Sequence, residues 1–182
     1  MRHQDIIISG FGGQGALFAG QLLAYAGLAE NLYVTWIPSY GPEMRGGTAN
    51  CTVIVSEEEI GAPVVRNPTA AIALNLPSLE KYGPLVKPGG LLVVNASLAP
   101  KQFVRSDIRV LQLKASDIAT ELGNVRMATL VALGMLVAAT GIVKIASLET
   151  ELEKHLSDRQ RQWLEPNKLA LRKGAELAFP ER

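Results

Sequence analysis

This chain is poor in the side chains that most enzymes use for chemistry. It has one cysteine, Cys51, and two histidines, His3 and His155. A single thiol excludes an intramolecular disulfide framework and a four-cysteine cage for an iron–sulfur cluster. Two histidines at opposite ends give no metal-ligand spacing and no confident Ser-His-Asp or Cys-His arrangement. Charge is also scarce. Charged residues make up 19% of the chain, where about a quarter is usual. A net charge of +1 leaves no overall field to attract nucleic acid or an anionic membrane. Long hydrophobic runs are missing as well. The longest uncharged stretch, "MATLVALGMLVAATGIV" between Arg126 and Lys144, contains Thr129, Gly134, Thr140 and Gly141. It falls short of a comfortable membrane span and reads as a buried core helix. Arg2 to Asp5 is polar and Ile6 to Ile8 is too short for the apolar part of a secretory signal, so a cytoplasmic setting is expected.

What the chain has is apolar mass and glycine. Hydrophobic residues make up 48% of its 182 residues, enough for one sizeable core and one domain, residues 1–182. A chain this apolar is expected to expose apolar surface when alone. Such surface is usually covered by a partner, and a homo-oligomer is the expected outcome in isolation.

The pattern alternates strands and helices. Asp5 to Ser9 reads as a fully buried strand, because three β-branched residues run together. Ala16 to Ala29 reads as a helix apolar on nearly every face, hence buried on more than one side. Further strands are expected at Leu32 to Ile37 (ended by Pro38), Cys51 to Val55, Ala70 to Leu74, Leu91 to Asn95 and Ile108 to Leu113. Short helices are expected at Pro77 to Tyr82 and Ser116 to Leu122. The end of the chain reads as helical: Arg126 to Thr140, then Leu148 to Leu156 with acids in its first turn. A Ser157/Gln160 capping box follows, and Pro166 is expected to break that helix before Lys168 to Leu177. The whole is an α/β chain: a Rossmann-like, doubly wound, mostly parallel sheet with helices on both faces and a helical C-terminal part. Sites in such sheets lie at the carboxyl ends of strands, which selects two loops, Gly10 to Gly15 and Ser39 to Asn50.

The first loop, "SGFGGQGALFAG", carries Gly10, Gly12 and Gly15 at dinucleotide-fingerprint spacing, with Gly13 and Gln14 between them. The fingerprint also needs an acid at the end of the second strand to hold the ribose. Ile37-Pro38-Ser39 stands there. Glu30 comes too early and Glu43 after a proline, and no arginine offers a 2′-phosphate contact. NAD(P) is disfavoured. Close strand-to-helix packing is as good an account of these glycines as a ligand.

The second loop, "PSYGPEMRGGTANC", is the more unusual. Gly41, Gly46 and Gly47 allow close backbone approach. Glu43 and Arg45 are its only charges, and Ser39, Tyr40, Thr48 and Asn50 add hydrogen-bonding groups. An ordinary surface loop with a local ion pair is one reading, and a binding loop is the other.

Taken with "VVRNP" and "LNLPSLEKY", these two loops resemble the gamma subunit of 2-oxoacid:ferredoxin oxidoreductases, over about Ile6 to at least Gly141. The wording of the second loop is most like the 2-oxoglutarate and branched-chain types. The resemblance implies a cytoplasmic heteromultimer with alpha, beta and ferredoxin-like subunits and ferredoxin as electron acceptor. It implies thiamine diphosphate, Mg and iron–sulfur clusters in the partner subunits, none held by this chain alone, and coenzyme A as a substrate contact near the gamma-type domain. Gly10, Gly12, Gly13, Gln14, Gly15, Ser39, Tyr40, Gly41, Glu43, Arg45, Gly46 and Gly47 would face coenzyme A or partner subunits. The chain lacks the Gly-Asp-Gly with a distal Asn expected of a thiamine diphosphate site. The alternatives are a stand-alone dinucleotide-binding enzyme and a scaffold subunit with no ligand.

The remaining residues have plain readings. Cys51 opens a buried strand and is expected to be inert. Trp36 belongs to core or interface, and Trp163 anchors the C-terminal segment. His155 reads as a solvated polar residue. Gly134 and Gly141 fit a close helix contact or merely reduced packing volume. Arg159, Arg161, Lys168, Arg172 and Lys173 form a solvated basic face, with ferredoxin docking as an outside reading.

Overall fold

A computed structural model describes residues 1–40 and 48–179. The strands are β1 (His3–Phe11), β2 (Tyr33–Tyr40), β3 (Thr48–Ser56), β4 (Ala70–Ala73), β5 (Leu91–Asn95) and β6 (Arg109–Leu113). The α-helices are α1 (Ala16–Ala29), α2 (Leu76–Tyr82), α3 (Ala115–Glu121), α4 (Ala128–Thr140), α5 (Ile145–His155) and α6 (Leu164–Leu177). All six strands join one sheet in the order β2-β3-β1-β4-β5-β6. The pairings β1–β4, β4–β5 and β5–β6 are parallel, while β3 runs antiparallel to both β1 and β2.

The alternation within β1 explains its double burial. Ile6 and Ile8 point into the main core with Val53, Val55, Ile72 and Val93, under α1, α4, α5 and α6. Ala71, Ala73, Leu92 and Val94 point the other way, against Leu79 of α2 and Phe103. Helix α1 is buried at Ala19, Leu22, Leu23 and Ala26 because the sheet lies beneath it and α5 beside it. Its small residues let it descend onto the sheet: a Cβ on Gly20 would collide with the Cys51 sulfur, and one on Gly27 with Val34. Among the described residues no helix is long and apolar enough to cross a membrane.

Four expectations about elements need correction. Strand β2 continues through Pro38 to Tyr40. It is an edge strand, and an edge position tolerates the missing N–H. Helix α6 also starts ahead of Pro166 and runs through it to Leu177. The proline falls in the first turn, where its N–H would have no intrahelical partner anyway. The Ser157/Gln160 capping box is present but heads a 3₁₀ segment, Asp158–Trp163. Helix α5 begins at Ile145, so its first turn holds no acid. A carboxylate reaches that end from elsewhere: Glu30, just past α1, accepts from the Lys144 backbone N–H at 2.6 Å and from Ser147 Oγ at 2.8 Å.

Candidate functional site at the carboxyl edge of the sheet

Strands β1 and β4 are neighbours, yet the chain goes from β1 to one half of the sheet and from β4 to the other. This is the point where strand order reverses, and the crevice outside the strand ends at such a point receives ligands in open α/β sheets. The glycine loop sits there. Gly13 (φ 89°) and Gly15 (φ 86°) occupy the left-handed region. Gly10 has no room for a side chain, since a Cβ would stand 2.6 Å from Gln14 Oε1 and 2.9 Å from Leu74 Cδ1. The backbone conformation therefore favours glycine at 13 and 15, and Gly13 lies outside the fingerprint spacing of 10, 12 and 15.

Gln14 does the local tying. Its Oε1 accepts from the Phe11 N–H at 2.6 Å and from Asn75 Nδ2 at 3.0 Å. Its backbone carbonyl accepts from the Thr129 hydroxyl at the start of α4. The same edge carries a row of polar groups that reading the sequence did not single out. Ser9 Oγ and Ser78 Oγ are 3.0 Å apart, Asn75 Oδ1 accepts from the Ser78 N–H to cap α2, and Asn95 Nδ2 donates to Leu74 O and Ser116 Oγ. Ser9, Asn75, Ser78 and Asn95 are all buried. The one available signal was a lone polar residue closing each apolar strand: Ser9 after three isoleucines, Asn75 after "AAIAL", Asn95 after "LLVV".

The second loop converges on the same edge. Thr48 is in register with Phe11, and Ser39 faces Asn50, which in turn faces Ser9. Ser39 and the backbone of Tyr40 are thus placed on the carboxyl side, two strands from the one that leads into the glycine loop. Gly41, Glu43, Arg45, Gly46 and Gly47 lie outside the described residues.

Behind the loop lies a cleft of about 340 Å³. Gly13, Gly15 and Phe18 form one side; Arg126, Trp163 and Asn167 come from the C-terminal helical part. Trp163 is therefore not simply an anchor.

Neither dinucleotide nor thiol chemistry finds support here. The ribose acid would have to stand at the end of a strand next to β1. Here antiparallel β3 intervenes, and β2 ends in Ser39 and Tyr40 two strands, or roughly 10 Å, away. Cys51 is fully buried, and burial pushes its thiol up to about 12. Among the described residues no group of three or more His, Cys, Asp or Glu side chains could hold a metal ion. One buried thiol is likewise the wrong donor set for an iron–sulfur cluster. His155 is not merely solvated. Its ring stacks on Tyr25 at 3.8 Å and its Nε2 lies 3.4 Å from Glu151. Of the basic C-terminal run, Arg161, Lys168, Arg172 and Lys173 all face carboxylates within 3.4 Å, which leaves little of it as a free docking patch.

Residues 5–177 match the family model described as pyruvate ferredoxin/flavodoxin oxidoreductase. The 2-oxoglutarate synthase subunit KorC of Methanothermobacter thermautotrophicus is 34% identical over 181 residues, covering 96% of this chain and 94% of that protein. The ketoisovalerate oxidoreductase subunit VorA of the same organism is 40% identical over 131 residues, 72% of this chain. This chain spans about a quarter of the length of that relative, 27%. Among solved structures, a keto/oxoacid ferredoxin oxidoreductase gamma subunit from Geobacter sulfurreducens PCA superposes with a TM-score of 0.82 at 30% identity, over 96% of this chain and 97% of that one.

Proposed function

Because the chain belongs to the pyruvate ferredoxin/flavodoxin oxidoreductase family, we propose that it is the gamma component of a 2-oxoacid:ferredoxin oxidoreductase that converts a 2-oxoacid to an acyl-CoA. The observation that carries this is the end-to-end match to the KorC subunit, a separate chain of nearly the same extent. The substrate is 2-oxoglutarate or a branched-chain 2-oxoacid, the substrates named for the KorC and VorA relatives, rather than pyruvate, which other relatives name. Selectivity between them belongs to whichever subunit holds the reacting carbon.

Within the complex the chain contributes subunit contacts and the coenzyme A side of the site. Thiamine diphosphate, Mg and the iron–sulfur clusters belong to partner subunits, since this chain has neither the thiols nor an acid–amide set to hold them. Ferredoxin accepts the electrons, and the complex works in the cytoplasm. Two features support a ligand role at the carboxyl edge. The strand order reverses there, and the glycine loop has open space at Gly13.

The test is reconstitution with the partner subunits. Arg45→Ala should raise the KM for coenzyme A and leave the KM for the 2-oxoacid unchanged. Unaltered coenzyme A kinetics would remove that residue from the site. A dinucleotide enzyme is the rival reading, and tight NAD binding by the lone chain would favour it.

A further inference from the structure

The stretch "LNLPSLEKY" lies outside both loops, yet Asn75 within it touches the glycine loop directly. Asn75 is 1% exposed and caps α2, its Oδ1 accepting from the Ser78 N–H at 2.9 Å. A side-chain amide has one acceptor end and one donor end. With the oxygen committed to the helix, the N–H₂ end must face the other way, and there it donates to Gln14 Oε1 at 3.0 Å. The consequence reaches into the loop. Because a donor confronts it, the Gln14 amide presents its oxygen on that side, and the same oxygen accepts from the Phe11 N–H at 2.6 Å. The Gln14 N–H returns the bond to the Phe11 carbonyl at 3.1 Å. Residues 11 and 14 are thus closed on each other by two hydrogen bonds across Gly12 and Gly13. Phe11, Gly12 and Gly13 are exposed, so burial contributes little to the shape of the turn and hydrogen bonds hold it.

We propose that Asn75 is a positioning residue: it sets the orientation of the Gln14 amide and so holds Gly10 to Gly15 in the conformation that meets the ligand. The proposal rests on the role given above to that loop, with coenzyme A as the ligand. A turned-over Gln14 amide would point its N–H₂ at both Asn75 Nδ2 and the Phe11 N–H, two donor–donor contacts in place of two hydrogen bonds. In the orientation observed, Gln14 Nε2 has no protein partner among the described residues. Thr129 grips the same residue from the other side, its hydroxyl donating to the Gln14 carbonyl. Helices α2 and α4 therefore both hold the loop through Gln14. A brace shifts the population of a loop by no more than its own worth. One neutral hydrogen bond is worth about two- to tenfold in apparent affinity.

Kinetics of the reconstituted complex test this. Asn75→Ser keeps the helix cap, since serine caps about as well as asparagine, but is too short to reach Gln14. It should raise the KM for coenzyme A about two- to tenfold. The turnover number, the KM for the 2-oxoacid and the Tm should stay near the parent's. Asn75→Asp also caps and should do more, because a carboxylate oxygen then confronts Gln14 Oε1. Gln14→Ala should raise the same KM, and adding Asn75→Ser to it should raise it no further, as expected of two residues acting through one contact. Asn67→Ser removes an amide that donates to the Leu85 carbonyl at the opposite edge of the sheet, and it should change no kinetic constant. Additive effects of the two loop substitutions would overturn the proposal. So would folded Asn75 variants with the parent's KM beside a Gln14→Ala variant that has lost affinity. If Gln14→Ala also keeps the parent's coenzyme A kinetics, the ligand role of the loop fails instead. Hydrogen exchange on the full chain then decides the brace: faster exchange of the Phe11 amide in Asn75→Ser supports it, and an unchanged rate refutes it.

Discussion

Glu30 shows how much one side chain can organise. Burial alone would raise its pKa, but the Lys144 N–H, the Ser147 hydroxyl and the Arg2 guanidinium together outweigh that and hold the carboxyl below its ordinary value. It joins the end of α1, the start of β1 and the start of α5. A carboxyl depressed in the folded state stabilises the fold above its unfolded pKa, and this is lost as pH falls through the folded value. Glu30→Gln should therefore lower Tm at pH 7, and the difference from the parent should shrink as pH drops below about 4.5; a pH-independent deficit would contradict this. The Cys51 thiol, raised to about 12 by burial, should be unreactive toward a disulfide reagent at pH 8 until denaturant unfolds the chain. Its inertness was legible from the strand around it. Glu30 was not, because its partners lie more than a hundred positions away at Lys144 and Ser147. The glycine loop was legible as a loop, but only dihedral angles reveal that Gly13, outside the fingerprint spacing, sits in the left-handed region.

At the scale of elements, the closest contact is α4 on α6. A Cβ on Gly134 would collide with the Leu171 backbone carbonyl, and one on Gly174 with that of Val131. Backbone cannot rotate away as a side chain can. Gly134→Ala or Gly174→Ala should each cost about 1–3 kcal/mol or more in urea unfolding, the range for overpacking a close-packed core. Gly141 has a different task, closing α4 in the left-handed conformation (φ 65°). In the sequence the two glycines of α4 look alike, since packing distance and dihedral angle are both invisible there. Prolines misled for a related reason. Pro38 and Pro166 punctuate only if their N–H groups are needed, and an edge strand or a first helical turn does not need them. Buried strands β1, β4 and β5 were the easiest elements to read, because burial on both faces leaves unbroken apolar runs.

On the scale of the whole molecule, the alternation of strands and helices was enough for a mostly parallel α/β sheet but not for its one antiparallel strand, β3. The insertion of antiparallel β3 between β1 and β2 depends on the hairpin that joins β2 to β3, and that hairpin displaces β2 from the place a dinucleotide fold would give it. The low charge content and the exposed Phe11, Phe18 and Val125 around the carboxyl edge fit a chain that works against partners. The most direct test of that central claim is to isolate the chain from the cell that makes it and assay the isolate for coenzyme A-dependent oxidation of 2-oxoacids with ferredoxin as acceptor. The account predicts co-isolated iron–sulfur and thiamine-binding subunits, with activity only in the assembly. A chain recovered alone, or one that turns over substrate by itself, would contradict it.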